Sequence, residues 1–228
     1  MSHVVAVSPH LDDAAFSIGG FLAARARGGD QVTIVTCFTG NVAEPAGFAL
    51  ACQLDKGLPS DVDYMALRRA EDLAACAVIG AEAIHLPLLE APHRGYANAL
   101  ELFGTRHPDD NALAPLTRQL AEQVTRLQPD LLLGPMAIGD HVDHWLVRDA
   151  LARTGQVVEL WEDWPYLTRA IHQPAVQAAR VHVLTAEDRA ARLAMCRAFA
   201  TQIGFQFGGG AGLERASSSV TEERLFTL

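Results

Sequence analysis

Residues 4–16 read VVAVSPHLDDAAF, an apolar run followed by a polar loop and a second apolar run. The first four residues are mostly β-branched, which predicts a buried strand that ends at Ser8-Pro9. Residues 14–27 then favour a helix, which Gly28-Gly29 ends. A second continuously apolar strand is expected at 32–38. Because strands buried on both faces belong to parallel sheets covered by helices, this part of the chain indicates an α/β fold.

The same alternation of strands and helices continues along the chain. Further helices and strands are expected, in chain order, at 65–79, 83–86, 113–127, 130–135, 143–153 and 157–161. The pattern then predicts a strand at 181–184 and a helix from 185 to about 202. No linker or repeat divides the chain. We therefore expect one α/β domain over residues 1–228, with a mostly parallel sheet.

Three segments are predicted to be loops. Two are long connections that contain glycine and proline, at 40–62 and 87–110. Loops of that length in a compact domain tend to be functional. The third is the glycine-rich segment 204–212 (GFQFGGGAG), which we expect to be a mobile flap or a plain connection.

The composition excludes several classes of protein. Hydrophobic residues make up 50% of the 228 and charged residues 20%, and the formal net charge is -9. An acidic chain argues against nucleic acid as a partner. The four cysteines form no C-x-x-C pair, and no apolar run is long enough to cross a membrane. Because the N-terminus does not resemble a signal peptide, we expect a cytoplasmic protein. Association into a homo-oligomer is left open.

Two loops rich in histidine and aspartate suggest the chemistry. One is residues 8–13 (SPHLDD), directly after the first strand, and the other is 139–144 (GDHVDH), shortly after the strand that ends at Pro135. Ligands of open parallel sheets bind beyond the carboxyl ends of the strands. We therefore expect the two loops to meet at one edge of the sheet, although they are far apart in sequence.

These residue types suit hydrolysis at a metal. Catalytic zinc takes about three ligands from His, Asp or Glu. His10, one aspartate of the first loop and one histidine of the second would supply such a set. A remaining carboxylate could accept a proton from a water that the metal activates, and a remaining histidine could stabilise an oxyanion. The alternative is that Asp13 only caps a helix and that His141 and His144 are solvated loop residues.

The two loops resemble the motifs of a known family. PHLDD at 9–13 and GDHVDH at 139–144 are similar to the His-Pro-Asp-Asp and His-x-Asp-His motifs of the PIG-L/LmbE-like zinc deacetylases. The resemblance extends to Thr39-Gly40, to Arg68-x-x-Glu71 and, more weakly, to 162–166. Leu11 replaces the usual proline, and Ala14 stands where many members carry a glutamate.

The resemblance implies a fold, a reaction and a role for each motif residue. It implies a single Rossmann-like domain with helices on both faces of the sheet, which removes an N-acetyl group from an amino sugar or glycoconjugate. Zinc would be the cofactor, although other divalent metals could bind the same donors. Asp12 would be the general base, His141 would polarise the carbonyl and stabilise the oxyanion, and Asp143 would orient a histidine. The implied metal ligands are His10, Asp13 and His144.

Four further residues are candidates for binding the substrate: Arg68, Arg94, Tyr96 and Tyr166. Each has a structural alternative. Arg68 could pair with Glu71 one helical turn away, and the two residues from the 87–110 loop could simply be solvated. Tyr166 could form a stacking wall with Trp161 and Trp164, or all three could be core aromatics.

Other functions remain open at this point. The same metal site could serve an amidase that acts on a larger N-acyl group, a thiol conjugate or an antibiotic-type substrate. A non-catalytic binding protein could also use this fold. A dinucleotide-binding enzyme is disfavoured because the first loop has no G-x-G-x-x-G, and a serine hydrolase because no G-x-S-x-G occurs.

Overall fold

A seven-stranded sheet forms the centre of the fold. The computed structural model describes residues 1–168 and 178–227. In chain order the strands are β1 (His3–Ser8), β2 (Gln31–Thr36), β3 (Glu82–His85), β4 (Leu131–Pro135), β5 (Val158–Trp161), β6 (Arg180–Val183) and β7 (Glu222–Thr227). Their order across the sheet is β3-β2-β1-β4-β5-β7-β6, and β7 runs antiparallel to both of its neighbours. The remaining pairs of adjacent strands are parallel, as predicted.

Helices connect the strands and cover both faces of the sheet. They are α1 (Asp13–Arg27), α2 (Gly47–Leu54), α3 (Tyr64–Ile79), α4 (Ala99–Leu102), α5 (Leu113–Leu127), α6 (Val142–Ala152), α7 (Ala186–Arg197), α8 (Ala200–Phe207) and α9 (Gly210–Ser218). Local residues determine where these helices begin and end, as α3 illustrates. Asp63 accepts the N–H of Ala66 at the start of α3, and Gly80 ends that helix in the left-handed region.

The residues of β1 alternate between the two hydrophobic cores. Val4 and Ala6 pack against α1, α3 and α7 on one face, whereas Val5 and Val7 pack against α5 and α6 on the other. All four side chains are at most 1% exposed. Burying a valine contributes about 1.5–3 kcal/mol, so the continuous apolar run is explained by a strand that is covered twice. The predicted fold class is confirmed.

The last third of the chain differs from the prediction. The helix expected from 185 to about 202 ends at Arg197, and α8 follows it. The segment 204–212 is not a loop, because α8 and α9 occupy most of it. Its glycines serve the junction of the two helices: Gly208 and Gly209 have positive φ, and a Cβ on Gly212 would lie 1.8 Å from the carbonyl oxygen of Phe207. The glycines therefore permit a close helix–helix contact rather than mobility.

Two other loop predictions were incomplete, and one strand was missed. The segment 40–62 contains α2, and 87–110 contains α4 and a short 3-10 turn at Ala91–His93. The unpredicted strand is β7, whose sequence EERLFT is mostly polar. Because β7 lies between β5 and β6, its pairing and not its hydropathy makes it a strand.

A buried ion pair joins the C-terminal elements to the sheet. Arg192 on α7 lies 3.2 Å from Glu223 on β7 and donates to Ser217 on α9 and to the carbonyl of Phe16 on α1. Its guanidinium lies 4.4 Å from the ring centroid of Trp164. Glu223 also accepts two backbone N–H groups of α1. We call Arg192, Glu223 and Ser217 the Arg192 cluster.

The strand order determines where a ligand can bind. β1 has β2 on one side and β4 on the other, so the connections leave β1 and β4 in different directions. This divergence opens a crevice beyond the carboxyl ends of the two strands. The loops at 8–13 and 139–144 both line it.

Candidate active site

Six residues from the two predicted loops meet at this crevice: His10, Asp12, Asp13, His141, Asp143 and His144, here called the His–Asp cluster. None of them is more than 9% exposed. The β1 loop is held by Ser8, whose hydroxyl donates to the carbonyl of His10 at 2.7 Å and accepts the N–H of Ala14 at 3.1 Å. The loop is therefore fixed by its own backbone before any ligand binds.

The loop after β4 has a strained backbone. Ala137, Gly139 and Asp140 all have positive φ, and a Cβ on Gly139 would lie 2.9 Å from Cβ of Tyr166. Residues in the left-handed region other than glycine are uncommon and often occur at functional sites. The loop ends at His141, which is the N-cap of α6. The strain thus places His141 and His144 on the side of the loop that faces β1.

Three side chains of the cluster could hold a metal ion. The ligand atoms of His10, Asp13 and His144 all lie within 4.8 Å of one another. Nδ1 of His144 donates to Oδ1 of Asp163 at 2.8 Å, so Nε2 is the ring nitrogen that is left for a metal ion. That Nε2 is buried without a hydrogen-bond partner and lies 3.3 Å from Oδ2 of Asp13. Two imidazole nitrogens and one carboxylate form a donor set that suits zinc and similar divalent metals.

The electrostatics of these three residues also favour a cation. Burial lowers the pKa of His144, but Asp13 and Asp163 outweigh it and raise this pKa to about 9. Burial likewise opposes the effect of Asp13 and Asp143 on His10, whose pKa is still raised well above its ordinary value. The pKa of Asp13 is held well below its usual range because His144 and His10 outweigh burial. Positive charge is therefore stabilised at the position that a metal ion would occupy.

Asp143 is held by hydrogen bonds on both of its oxygens. Oδ2 accepts from Nε2 of His10 and from the N–H of Ala91, both at 3.0 Å. Oδ1 accepts from Nη2 of Arg94 at 2.7 Å. Burial raises the pKa of Asp143, but Arg94 and His10 lower it more, so the net pKa lies well below its ordinary value. An ionised carboxylate with these partners orients His10 rather than accepting protons.

Arg94 and Tyr96, two of the predicted substrate-binding residues, lie behind the cluster and do not line the cavity. Arg94 bridges Asp143 and Asp110, and the hydroxyl of Tyr96 donates to Asp110 at 2.9 Å. Tyr96 is 1% exposed and stacks on His107. Both residues support Asp143 from behind because the 87–110 segment folds against the site instead of remaining solvated.

Asp12 lies beside a second buried ion pair. Nη2 of Arg68 is 3.4 Å from Oδ1 of Asp12, and its Nη1 contacts Glu90. Burial raises the pKa of Asp12 to about 7, although Arg68 acts in the opposite direction. The alternative pairing of Arg68 with Glu71 does not occur, since Glu71 binds Thr201 instead. A carboxyl with a pKa near 7 can both accept and release a proton at neutral pH.

His141 is a neutral imidazole with a defined tautomer. Burial, followed by the charge on His10, lowers its pKa well below the ordinary value. Its Nδ1 accepts the backbone N–H of Asp143 at 3.1 Å. Because Nδ1 is the acceptor, the single proton of the neutral ring is on Nε2. His141 therefore offers one N–H donor to a ligand.

A cavity of about 190 Å³ opens onto the cluster. His10, Asp12 and His141 line it together with Arg68 and Tyr166. Of the two alternatives for the aromatic residues, the structure supports the core for both tryptophans. Trp161 and Trp164 are 0% and 6% exposed and belong to the hydrophobic core.

Sequence reasoning missed two residues of the site. Asp163 orients His144, and Glu90 neutralises Arg68. For Asp163 a signal existed: it follows β5, the next parallel strand along from β1 and β4, so it reaches the same edge of the sheet. Glu90 lies in a segment with no recognisable motif, and only the fold shows its proximity to Arg68.

Comparison with known proteins identifies the family of this chain. The sequence profile of the PIG-L family, described as GlcNAc-PI de-N-acetylase, matches residues 5–154. That span contains both loops of the His–Asp cluster. The chain belongs to the PIG-L family. The predicted resemblance is thereby confirmed.

Two curated relatives of this PIG-L chain are similar over 70% of its length. It is 35% identical over 165 residues to the 2'-N-acetylparomamine deacetylase of Streptomyces fradiae. It is 32% identical over 173 residues to the 1D-myo-inositol 2-acetamido-2-deoxy-alpha-D-glucopyranoside deacetylase of Corynebacterium glutamicum strain R. The aligned regions cover 56% and 55% of those proteins, so the chain spans about half the length of the curated relatives it matches.

A solved structure extends the similarity to nearly the whole PIG-L chain. A deacetylase of the teicoplanin biosynthesis pathway superimposes with a TM-score of 0.85 at 25% sequence identity. The match covers 99% of this chain and 97% of that one. The similarity in fold therefore includes the C-terminal elements α7 to α9, which lie beyond the family profile.

Proposed function

We propose that this protein is a metal-dependent deacetylase that removes the N-acetyl group from an amino sugar or glycoconjugate. The observation that carries the proposal is the arrangement of the His–Asp cluster. Three candidate metal ligands lie beside Asp12, whose pKa is about 7, and one of those ligands, His10, lines the same cavity as Asp12. Metal ligands, a proton acceptor and an N–H donor are the groups that amide hydrolysis requires.

His10, Asp13 and His144 would hold the metal, for which zinc is our choice. The unpartnered Nε2 of His144 and the stabilised positive charge at this position both fit a cation. A bound zinc ion would lower the pKa of a water and polarise the acetamide carbonyl. Asp163 and Asp143 keep the two histidines in fixed orientations from behind.

Asp12 would act as the general base. It is the carboxylate of the cluster that lines the cavity and has a pKa near neutrality. It would take a proton from the attacking water and pass it to the departing amine. Arg68 would stabilise its ionised form, and Glu90 limits that effect by neutralising Arg68.

His141 would stabilise the oxyanion that forms when water attacks the carbonyl. Its ring is neutral, its Nε2 carries the proton, and it lines the cavity. A fixed N–H donor aimed at developing negative charge is worth about two to three orders of magnitude in turnover. Asp143 would assist from behind: its carboxylate orients His10, and its backbone N–H holds Nδ1 of His141.

The substrate class comes from the relatives. The names of both curated relatives describe deacetylases of N-acetylated amino-sugar compounds. Tyr166 and Arg68 line the cavity, and we propose that they contact the sugar. A larger N-acyl, thiol-conjugate or antibiotic-type amide is the alternative.

Amine release tests the proposal. The protein, purified with zinc, is assayed with N-acetylglucosamine derivatives beside His144→Ala and beside a control, His182→Ala, whose histidine lies next to Asp188 and outside the cluster. We expect about one zinc per chain and amine release in the wild type and the control, and loss of both in His144→Ala. Parallel assays with a long N-acyl analogue distinguish an acetyl-specific enzyme from the larger amidase.

Two outcomes would contradict the proposal. Amine release that survives complete removal of metal would exclude metal-dependent hydrolysis. Bound metal without release of any amine would favour a binding protein.

Within the described residues, no helix is long and apolar enough to span a membrane. The cytoplasmic location and the homo-oligomer remain predictions.

A further inference from the structure

The chain contains a single lysine, and it lies in the wall of the active-site cavity. Lysine and arginine together number 18, and Lys56 is the one lysine among them. It follows α2 in a turn and lines the cavity that opens onto the His–Asp cluster. The proposed hydrolysis uses no group at this position.

The ammonium of Lys56 is held between two aromatic rings. Its Nζ lies 4.8 Å from the ring centroid of Phe205 on α8 and 5.5 Å from that of Tyr64 on α3. It donates one hydrogen bond, to the carbonyl of Cys52 at 2.9 Å. An ammonium carries three N–H donors. The contacts therefore orient the group but leave donors for a ligand.

The other charges of the cavity wall do not neutralise Lys56. Asp12 and Glu90 both contact Arg68. Among residues 1–168 and 178–227, no carboxylate forms an ion pair with Lys56. Burial, followed by the charge on Arg68, lowers its pKa, and the opposing effects of Cys52, Glu90 and Asp12 are smaller. A half-buried cation without a counter-ion is unfavourable unless a ligand supplies the opposite charge.

We propose that Lys56 is a specificity-determining residue that binds an anionic group, a phosphate or a carboxylate, on the substrate. This inference rests on the proposed function, because it takes the ligand to be an N-acetylated sugar. The anionic group would contact Lys56 while the acetamide lies at the His–Asp cluster. The same charge would disfavour polycationic substrates.

A lysine suits this position better than the arginine used elsewhere in the chain. The ammonium is a compact point charge, whereas a guanidinium is a broad plane that prefers bidentate partners and stacks on aromatic faces. Between Tyr64 and Phe205 a guanidinium would stack on a ring instead of facing the cavity. Lys56→Arg therefore keeps the charge but should weaken binding of the anion.

Calorimetric titration of sugars with and without an anionic group tests this inference. The ligands are N-acetylglucosamine, its 1-phosphate, its 6-phosphate and N-acetylmuramic acid, so that phosphate and carboxylate are tested at different ring positions. The protein is the zinc-loaded Asp12→Asn variant, in which the ligand is not consumed. We expect at least one anionic ligand to bind about 10- to 100-fold more tightly than the neutral sugar, as one charge-assisted hydrogen bond would give.

Variants at Lys56 separate charge recognition from a structural role. Lys56→Gln should abolish the preference for the anionic ligand and change the affinity for the neutral sugar less than threefold. The matched control is Arg118→Gln, which removes one positive charge from an exposed residue outside the cavity. It should leave the preference intact.

Three results would overturn the inference. The first is equal binding of the neutral sugar and all three anionic ligands to protein with Lys56 in place, a comparison that does not depend on the variant folding. The second is an equal loss for neutral and anionic ligands in Lys56→Gln, which would indicate a structural role. The third is that Arg118→Gln loses the preference for the anionic ligand to the same extent as Lys56→Gln. Amine-release assays with the zinc-loaded wild type keep the proposed function separate: Lys56-dependent binding without amine release by the wild type from any of these sugars would contradict the deacetylase alone.

Discussion

The His–Asp cluster and the Arg192 cluster are both buried and both charged, but they are built differently. In the Arg192 cluster the single cation faces the single carboxylate, and hydroxyl, carbonyl and N–H groups take up most of the remaining hydrogen bonds. In the His–Asp cluster three carboxylates surround three histidines. Within the described residues each cluster has one buried nitrogen without a hydrogen-bond partner, Nε2 of His144 and Nε of Arg192, but only Nε2 of His144 belongs to a set of candidate metal ligands. A buried cation paired with a carboxylate holds elements together, whereas two imidazoles and a carboxylate within reach of one point form a donor set that a metal ion can complete.

The first prediction concerns turnover and has the largest expected effect. Asp12→Asn should lower amine release by about 10³-fold, because a general base contributes about 10²- to 10⁴-fold. Zinc content should not change, and the free energy of unfolding should change by less than about 1 kcal/mol. Steady-state kinetics, metal analysis and urea denaturation measure the three quantities.

Asp61→Asn is the control for Asp12→Asn, since Asp61 is exposed and the substitution is the same. It should keep full turnover. Turnover close to that of the wild type in zinc-loaded Asp12→Asn would remove Asp12 as the base. A large loss of stability would place it with the structural residues.

The second prediction concerns the Arg192 cluster, where we expect a loss of stability with little change in turnover. Arg192→Met should lower the free energy of unfolding by about 3–5 kcal/mol, because it leaves Glu223 buried without its partner. Burial already raises the pKa of Glu223 to about 7 in the presence of Arg192. Turnover of the folded protein at low temperature should remain within about threefold of the wild type. Urea denaturation and active-site-normalised kinetics measure both effects.

A double variant tests whether the lost stability comes from the unpaired charge. Arg192→Met with Glu223→Gln removes both charges and should recover part of the stability. The opposite result would be additive losses, with the double variant less stable than Arg192→Met by as much as Glu223→Gln alone destabilises the wild type. Additive losses would show that the lost stability comes from packing and not from charge.

The third prediction concerns metal affinity. Asp163→Asn should weaken zinc binding by about 10- to 100-fold, because a carboxylate behind a ligating histidine fixes its tautomer and raises its basicity. Competition with a chelator measures the affinity. Asp72→Asn is a matched control: Asp72 is also buried and bonds Nε2 of His85 at 2.8 Å, but that histidine lies outside the cluster. Equal zinc affinity in the wild type and Asp163→Asn would argue against His144 as a ligand.

The smallest predicted effect is at the first turn of α7, the helix that carries Arg192. Asp188 accepts from Arg27 at 2.6 Å and from the N–H of Thr185 at 2.9 Å in a capping box. Burial raises its pKa, but Arg27 and Thr185 lower it more, from 3.8 to about 2. Asp188→Asn should therefore lower the free energy of unfolding by about 1 kcal/mol at neutral pH.

The pH dependence of that difference has a defined sign. Because the folded pKa of Asp188 is below the unfolded value, its stabilising effect is complete above about pH 5 and is lost progressively as the pH falls towards 2. The stability difference between the wild type and Asp188→Asn should shrink between pH 5 and pH 3. A difference that stays constant over this range in urea titrations would show that the charge of Asp188 contributes nothing.

The sequence predicted the parallel half of the fold because its signals there are local. The run at 4–7 alternates between two cores, so every residue is apolar, and a strand buried on both faces is recognisable by itself. β7 could not be found in this way, because its sequence EERLFT becomes a strand only through its two neighbours. Likewise, the glycines of 204–212 looked like a loop because nothing local reveals that Gly212 packs against Phe207.

In the candidate site, too, local sequence predicted some features and tertiary contacts decided the others. Short-range sequence determined which residues follow β1 and β4, and the carboxyl-edge rule predicted that the two loops meet. The choice of His10, Asp13 and His144 as ligands came from the resemblance to the family. Hydrogen-bond partners from distant segments were decided by tertiary structure alone. Arg94 became a support for Asp143, Arg68 paired with Glu90, and Lys56 was carried into the cavity. Local sequence encodes strands, turns and the groups at their ends, whereas pairing, burial and pKa depend on which segments pack together.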